Sequence, residues 1–197
     1  MSIYVVRHGE TEHNRQGRFT GSIDAPLNES GRLQAATLAR RMFETVRLDA
    51  IVSSPMLRAL ETARAAADAY HLPIETADEF VERNMGVYEG LTVEECRERY
   101  PDQFARKPTF KWDDAPEGGE TLRQIDARVS RGLDRVLSAH PDKEVMIVCH
   151  GVVVMIIGMR LCGLSLDEMR GFRTENCGLY VFQPPFLNAS SLRRVMP

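Results

Sequence analysis

"IYVVRHGETEHN", residues 3–14, carries the reading on which the fold turns. Four apolar β-formers, Ile3 to Val6, run straight into Arg7, His8 and Gly9. A continuous apolar run of this kind suits a strand covered on both faces, as in a parallel sheet. Such a strand delivers whatever follows it to the carboxyl edge of the sheet, and that edge is where open parallel sheets bind ligands.

Three further runs have the same character: Ala50 to Ser53, Val145 to Cys149 and Leu179 to Phe182. Helical patterns lie between them. Ala35, Leu38, Ala39, Met42 and Val46 recur at helical spacing behind Asn28, a suitable N-cap. Ser54-Pro55 reads as N-cap and first helical residue of an Ala-rich helix to Tyr70. Thr92 with Glu95 makes a capping box, Leu122, Ile125, Val129, Leu133 and Val136 form a stripe, and Val152 to Leu161 is apolar all round. Alternating strands and helices predict an α/β fold: a three-layer sandwich with a mostly parallel central sheet flanked by helices. The polar, proline-containing stretch of about 77–120 is expected to be a small lobe of short helices and loops, inserted after the third βα unit over the strand carboxyl ends. The whole chain, 1–197, is expected to be one domain, with a loosely packed tail from Pro184 onward.

Composition narrows the function classes. A chain of 197 residues with 27% charged residues and a net charge of −3 is an ordinary globular protein. This balance gives no drive toward nucleic acid or membrane lipid, and the longest apolar helix pattern is too short to span a bilayer. The four cysteines (Cys96, Cys149, Cys162 and Cys177) form no CxxC pair and read as buried free thiols. The chain enters a strand without a secretory pattern, so a cytoplasmic location is expected. Asn188-Ala189-Ser190 matches a glycosylation sequon that carries no meaning in that setting. A monomer or a homodimer fits equally well. No HExxH and no set of carboxylates at ligand spacing is present, so no metal or other cofactor is expected.

The strand ends carry the chemistry. Arg7 and His8 follow the first strand, Ser53, Ser54 and then Arg58 follow the second, and His150 and Gly151 follow the third long run. Two histidines and two arginines would meet on one edge. Arginine's planar fork matches phosphate oxygens, and such a cationic cluster calls for an anion.

"RHGETEHN" resembles the RHGxTxxN signature of the histidine phosphatase superfamily, also called the phosphoglycerate-mutase-like family. In order along the chain, "RFTGSIDAPLNESG" (18–31), "SSPMLRALETA" (53–63), "VERNMGVYEG" (81–90), "EGGET" (117–121) and "VCHG" (148–151) resemble further segments of that family. The resemblance implies a phosphohistidine on His8, whose other ring nitrogen would donate to a backbone carbonyl. It implies Arg7, Arg58 and a charged His150 around the transferred phosphoryl group, and Glu82 as general acid and base, with Glu10, Glu12 and Glu89 as competitors. Gly9, Asn14, Thr20, Gly21, Arg83 and Gly151 are the expected substrate contacts. His13, His71 and His140 match no motif and are expected in solvent. Arg83, Asn84, Met85, Tyr88, Phe104 and Trp112 could line the substrate space.

The expected activity is metal-independent hydrolysis of a small phosphorylated metabolite. Phosphoserine, sugar phosphates, phosphoglycerates and ribazole phosphate all remain open. A cofactor-dependent phosphoglycerate mutase is the alternative, and a non-catalytic phospho-ligand binding protein is another. Val152 stands where mutases of the family carry a polar Asn, and the lobe has no Arg-Arg pair, which favours the phosphatase.

Overall fold

The computed structural model describes residues 1–170, 174–186 and 192–195. Six strands, β1 (Ser2–Arg7), β2 (Ala50–Ser53), β3 (Ile74–Thr76), β4 (Glu144–Cys149), β5 (Leu179–Phe182) and β6 (Leu192–Val195), form one sheet in the order β3-β2-β4-β1-β5-β6. The first four run parallel, and β5 and β6 extend the β1 side by antiparallel pairing. The helices are α1 (Glu12–Arg15), α2 (Glu29–Thr45), α3 (Leu57–Tyr70), α4 (Val93–Arg99), α5 (Pro101–Ala105), α6 (Leu122–Ala139), α7 (Gly151–Cys162) and α8 (Leu166–Arg170).

The expected three layers follow from side-chain alternation along the strands. Ile3, Val5, Val52, Val145 and Ile147 face one way and pack with α6 and α7. Tyr4, Val6, Ile51, Met146 and Val148 face the other way and pack with α2 and α3. The helices' apolar stripes supply the covering faces, and each fully buried Val, Ile or Leu contributes about 1.5–3 kcal/mol relative to exposure. Asn28 caps α2 through Gly31 N–H at 2.8 Å, and Thr92 and Glu95 form the expected capping box on α4. Among the described residues no helix is long and apolar enough to cross a membrane. None of the four cysteines forms a disulfide, and all four are buried.

Several expectations are corrected. The helix after β2 begins at Leu57, with Met56 as N-cap, so neither Ser54 nor Pro55 opens it. Ser54 Oγ instead accepts Met56 N–H at 3.3 Å and contacts a histidine described below. The lobe lies inside the third βα unit, between β3 and α6, because Ile74–Thr76 is a strand. The tail contributes the edge strand β6, paired with β5 from Leu179↔Val195 to Phe182↔Leu192. The sequon at Asn188–Ser190 lies outside the described residues. His140 is buried at 7% exposure with Nε2 3.3 Å from Glu75, and His13 is half-buried; of the three unmatched histidines only His71 is exposed.

Candidate active site

The parallel ladder of β1 and β4 places the two histidines. Arg7 is opposite Cys149, and His8 N–H donates to Cys149 O at 2.9 Å, so His8 and His150 leave adjacent strands in step. Their rings lie 5.2 Å apart, centroid to centroid, inclined at 58°. Ser54 leaves β2 on the other side of β4, with its N–H on Val148 O at 2.9 Å, and its hydroxyl reaches His150 Nε2 at 2.8 Å. Arg58, one residue into α3, joins them and is fully buried.

The imidazole of His8 is oriented by its own backbone. Nδ1 lies 2.7 Å from Gly9 O. A carbonyl only accepts, so Nδ1 carries the proton and Nε2 keeps its lone pair. Burial, then the charges of Arg7 and Arg58, push the pKa of His8 well below the usual histidine value. His150 is pushed the same way by burial and then by Arg58, His8 and Arg7, so the expectation of a charged His150 is not met. In the tautomer whose Nε2 accepts the Ser54 hydroxyl proton, the neutral ring presents Nδ1–H as a donor.

The arginines are partly engaged. Arg7 Nη1 donates to Thr174 O at 2.5 Å. Arg58 donates to Ile23 O at 2.7 Å and to Gly21 O at 2.9 Å, which fastens the 18–25 loop over the strand ends. Four buried polar atoms of this site have no hydrogen-bond partner among the described residues: Arg7 Nε, Arg58 Nε, Thr20 Oγ1 and His150 Nδ1. An unsatisfied buried polar group costs about 1–3 kcal/mol. Oxygens of a bound phosphate would satisfy them, so the arrangement is built to receive an anion with several acceptor oxygens.

Glu82 enters from the lobe. Its Oε1 accepts Arg83 N–H at 2.8 Å, while Oε2 lies 3.9 Å from the point where a side chain on Gly151 would begin. Arg128, on α6, holds the backbone around it, donating to Val81 O at 2.7 Å and Glu82 O at 3.1 Å while its guanidinium pairs with Glu120. Asn14 Oδ1 accepts from Thr11 N–H at 3.2 Å and from Asn176 Nδ2 at 3.1 Å, which leaves its own amide nitrogen as the donor at the cavity wall. Thr20 and Gly21 line the same cavity.

Two expected contacts serve other ends. The guanidinium of Arg83, 1% exposed, donates to the carbonyls of Glu120, Thr109, Pro108 and Asp114 and ties the lobe together, so it is not a free phosphate grip. Gly9 is needed for packing against α2, since a Cβ there would meet Gly31 O at 2.5 Å. Of the residues expected to line the substrate space, Arg83, Met85, Tyr88 and Phe104 do so; Asn84 faces a second cavity, and Trp112 packs against the main core. Of the competitors, Glu10 accepts from Asn28, Glu12 pairs with Arg15, and Glu89 is occupied by the 18–25 loop.

Sequence reasoning missed Thr62, whose Oγ1 accepts Gly9 N–H at 3.0 Å, and Asn176, which donates to His8 O. It also missed Arg128 and the latch formed by Glu89. Thr62 was the most legible of these, because it lies one helical turn beyond Arg58 on the same face.

Residues 3–185 match the family model of the histidine phosphatase superfamily (branch 1). Phosphoserine phosphatase 1 of Hydrogenobacter thermophilus is 33% identical over 92% of this chain and 85% of that protein. A metal-independent phosphoserine phosphatase of Arabidopsis thaliana is 35% identical over 83% of this chain and 69% of its own length. The crystal structure of the α-ribazole phosphatase from Shigella flexneri superposes with a TM-score of 0.87, covering 99% of this chain and 96% of that one at 25% identity. The expectation of a phosphoric monoester hydrolase agrees with the names these relatives carry.

Proposed function

Because the chain belongs to the histidine phosphatase superfamily, we propose that it hydrolyses phosphate monoesters without a metal ion, through a phosphohistidine on His8. The observation that carries this reading is that Arg7, Thr20 and Arg58, which line one cavity with His8, and His150, whose ring centroid lies 5.2 Å from that of His8, each keep a buried polar atom without a partner among the described residues. Phosphate oxygens would take up Arg7 Nε, Arg58 Nε, Thr20 Oγ1, the amide of Asn14 and His150 Nδ1. These fixed groups would stabilise the charge that spreads over the equatorial oxygens during transfer.

His8 Nε2 attacks phosphorus in line, forming the P–N bond as the ester P–O bond breaks. The protonated Glu82 carboxyl gives its proton to the departing alkoxide. The resulting carboxylate then takes a proton from water, whose oxygen attacks phosphorus as the P–N bond breaks. Phosphate leaves, and His8 and Glu82 are restored. Val152 lines the cavity beside this site with an apolar side chain that cannot hold a second acidic group, which supports water over a second sugar-acid hydroxyl as acceptor. Four buried cysteines without a disulfide suit the proposed cytoplasmic location.

Rapid quenching in alkaline detergent of enzyme mixed with ³²P-labelled p-nitrophenyl phosphate, followed by separate acid and base treatment of the trapped protein, tests the proposal. The expected product is an acid-labile, base-stable phosphoprotein that forms in EDTA and is missing in His8→Ala. Labelling that survives in this variant would refute the role of His8. Efficient conversion of 3-phosphoglycerate to 2-phosphoglycerate in the presence of 2,3-bisphosphoglycerate, with little free phosphate, would replace the phosphatase by a mutase.

A further inference from the structure

The cavity of about 450 Å³ above His8 is far larger than a phosphate group, and its two ends differ in character. The inner end holds Arg7, His8, Asn14, Arg58 and Glu82. The outer chamber is walled by Phe19, Phe104 and Phe110 on the loop and lobe side and by Val152, Met155 and Leu166 on the α7–α8 side. Binding cavities of this size fix orientation with a few polar groups and draw affinity from apolar walls.

The charged groups of the outer chamber do not suit a zwitterion. Arg18 lines it, but its guanidinium is already paired with Glu95 at 2.6 Å and donates to Gly90 O at 2.7 Å. Lys107 lines it too, and Arg83, also in the lining, is spent on backbone carbonyls. The one carboxylate of the lining is Glu82, at the reacting end. An amino group on the substrate would therefore be desolvated among phenyl, methionine and aliphatic side chains, at a cost that a hydrocarbon group does not incur.

We infer that the phosphate ester this site takes best carries an apolar organic group, aryl or medium-chain alkyl, lying between Phe19 and Phe104 on one side and Val152 and Met155 on the other. This inference rests on the phosphatase reading for its chemistry but on the shape of the outer chamber for its specificity, and the two can be tested apart. The walls come from the 18–25 loop, the lobe, α7 and α8, so specificity is decided by elements that carry only Thr20 and Glu82 of the proposed phosphoryl-transfer groups.

The test is a homologous series of n-alkyl phosphates from ethyl to octyl, whose leaving groups differ little in basicity, together with phenyl phosphate, phosphoserine and 3-phosphoglycerate. The expected result is a kcat/KM that climbs roughly 3–4-fold per buried methylene until the chamber is filled, with phosphoserine below hexyl phosphate. Met155→Gln should flatten the climb. The matching n-alkylphosphonates, which cannot be hydrolysed, are titrated in parallel by calorimetry and should tighten along the same series. Hydrolysis with a flat or falling series, or with phosphoserine the best ester, overturns the inference and leaves the phosphatase. No hydrolysis of any ester but a rising phosphonate affinity sinks the phosphatase and keeps the apolar ligand. No hydrolysis and flat phosphonate binding overturns both.

Discussion

Glu82 and Arg83 are neighbours in sequence with opposite duties, and substitutions separate them. Glu82→Gln keeps the shape and the Arg83 N–H contact through Oε1 but removes the transferable proton. Hydrolysis of alkyl phosphates should fall by about 10²–10⁴-fold, while p-nitrophenyl phosphate, whose leaving group needs little protonation, should fall far less. Equal losses on both would assign proton transfer elsewhere. Arg83→Met keeps most of the volume and strips four backbone carbonyls of their donors. Urea unfolding should register a loss of about 2–4 kcal/mol, with KM for remaining folded enzyme little altered; a large KM change at unchanged stability would restore Arg83 to the substrate. The convergence of Arg7, His8, Arg58 and His150 was legible because each follows a buried strand, and strand ends converge whatever the details of packing. Arg83 was not, because its partners are carbonyls that no side-chain pattern announces.

The 18–25 loop and the lobe behave as one element through Glu89. Its Oε1 accepts Ser22 N–H at 2.7 Å and Met85 N–H at 3.0 Å, and Ser22 Oγ donates to the same carboxylate. Gly21 sits beneath it at φ +52°, where a Cβ would fall 2.2 Å from Glu89 Oε1. This latch places Thr20 Oγ1 and the carbonyls that hold Arg58. Glu89→Gln weakens charge-assisted hydrogen bonds and should raise KM roughly fivefold, the equivalent of about 1 kcal/mol. A fall in kcat alone would point instead to proton transfer by Glu89. Long elements with a clear period (α2, α6, α7 and the central strands) were readable from sequence. β3 has only three residues and one half-buried side chain, too few for an alternation to register. The helix after β2 starts at Leu57, later than Ser54-Pro55 suggested, and the Ser54 hydroxyl also reaches His150, a partner 96 positions away that no local pattern announces.

Across the whole molecule, the depressed histidines link stability to pH. His8 and His150 resist protonation when folded but take up protons freely when unfolded. The unfolded chain therefore binds more protons below the ordinary histidine value of 6.5. Their contribution is complete above that pH and is lost as the pH falls beneath it, with a slope of about 1.4 kcal/mol per pH unit for each histidine. Urea titrations between pH 7.5 and 5 should show this decline, and His150→Gln should reduce its slope; a slope unchanged in that variant would mean that His150 is not kept neutral by the fold. The ladder that sets the two imidazoles has its own consequence. The amide of His8 is bonded to Cys149 O between β1 and β4, at the middle of a six-stranded sheet with helices on both faces. Its hydrogen should belong to the slowest-exchanging class, released by global unfolding alone, whereas lobe amides exchange through smaller openings. The proposed nucleophile then stays in place while the lobe opens and recloses, and each reclosure finds the two rings already in register.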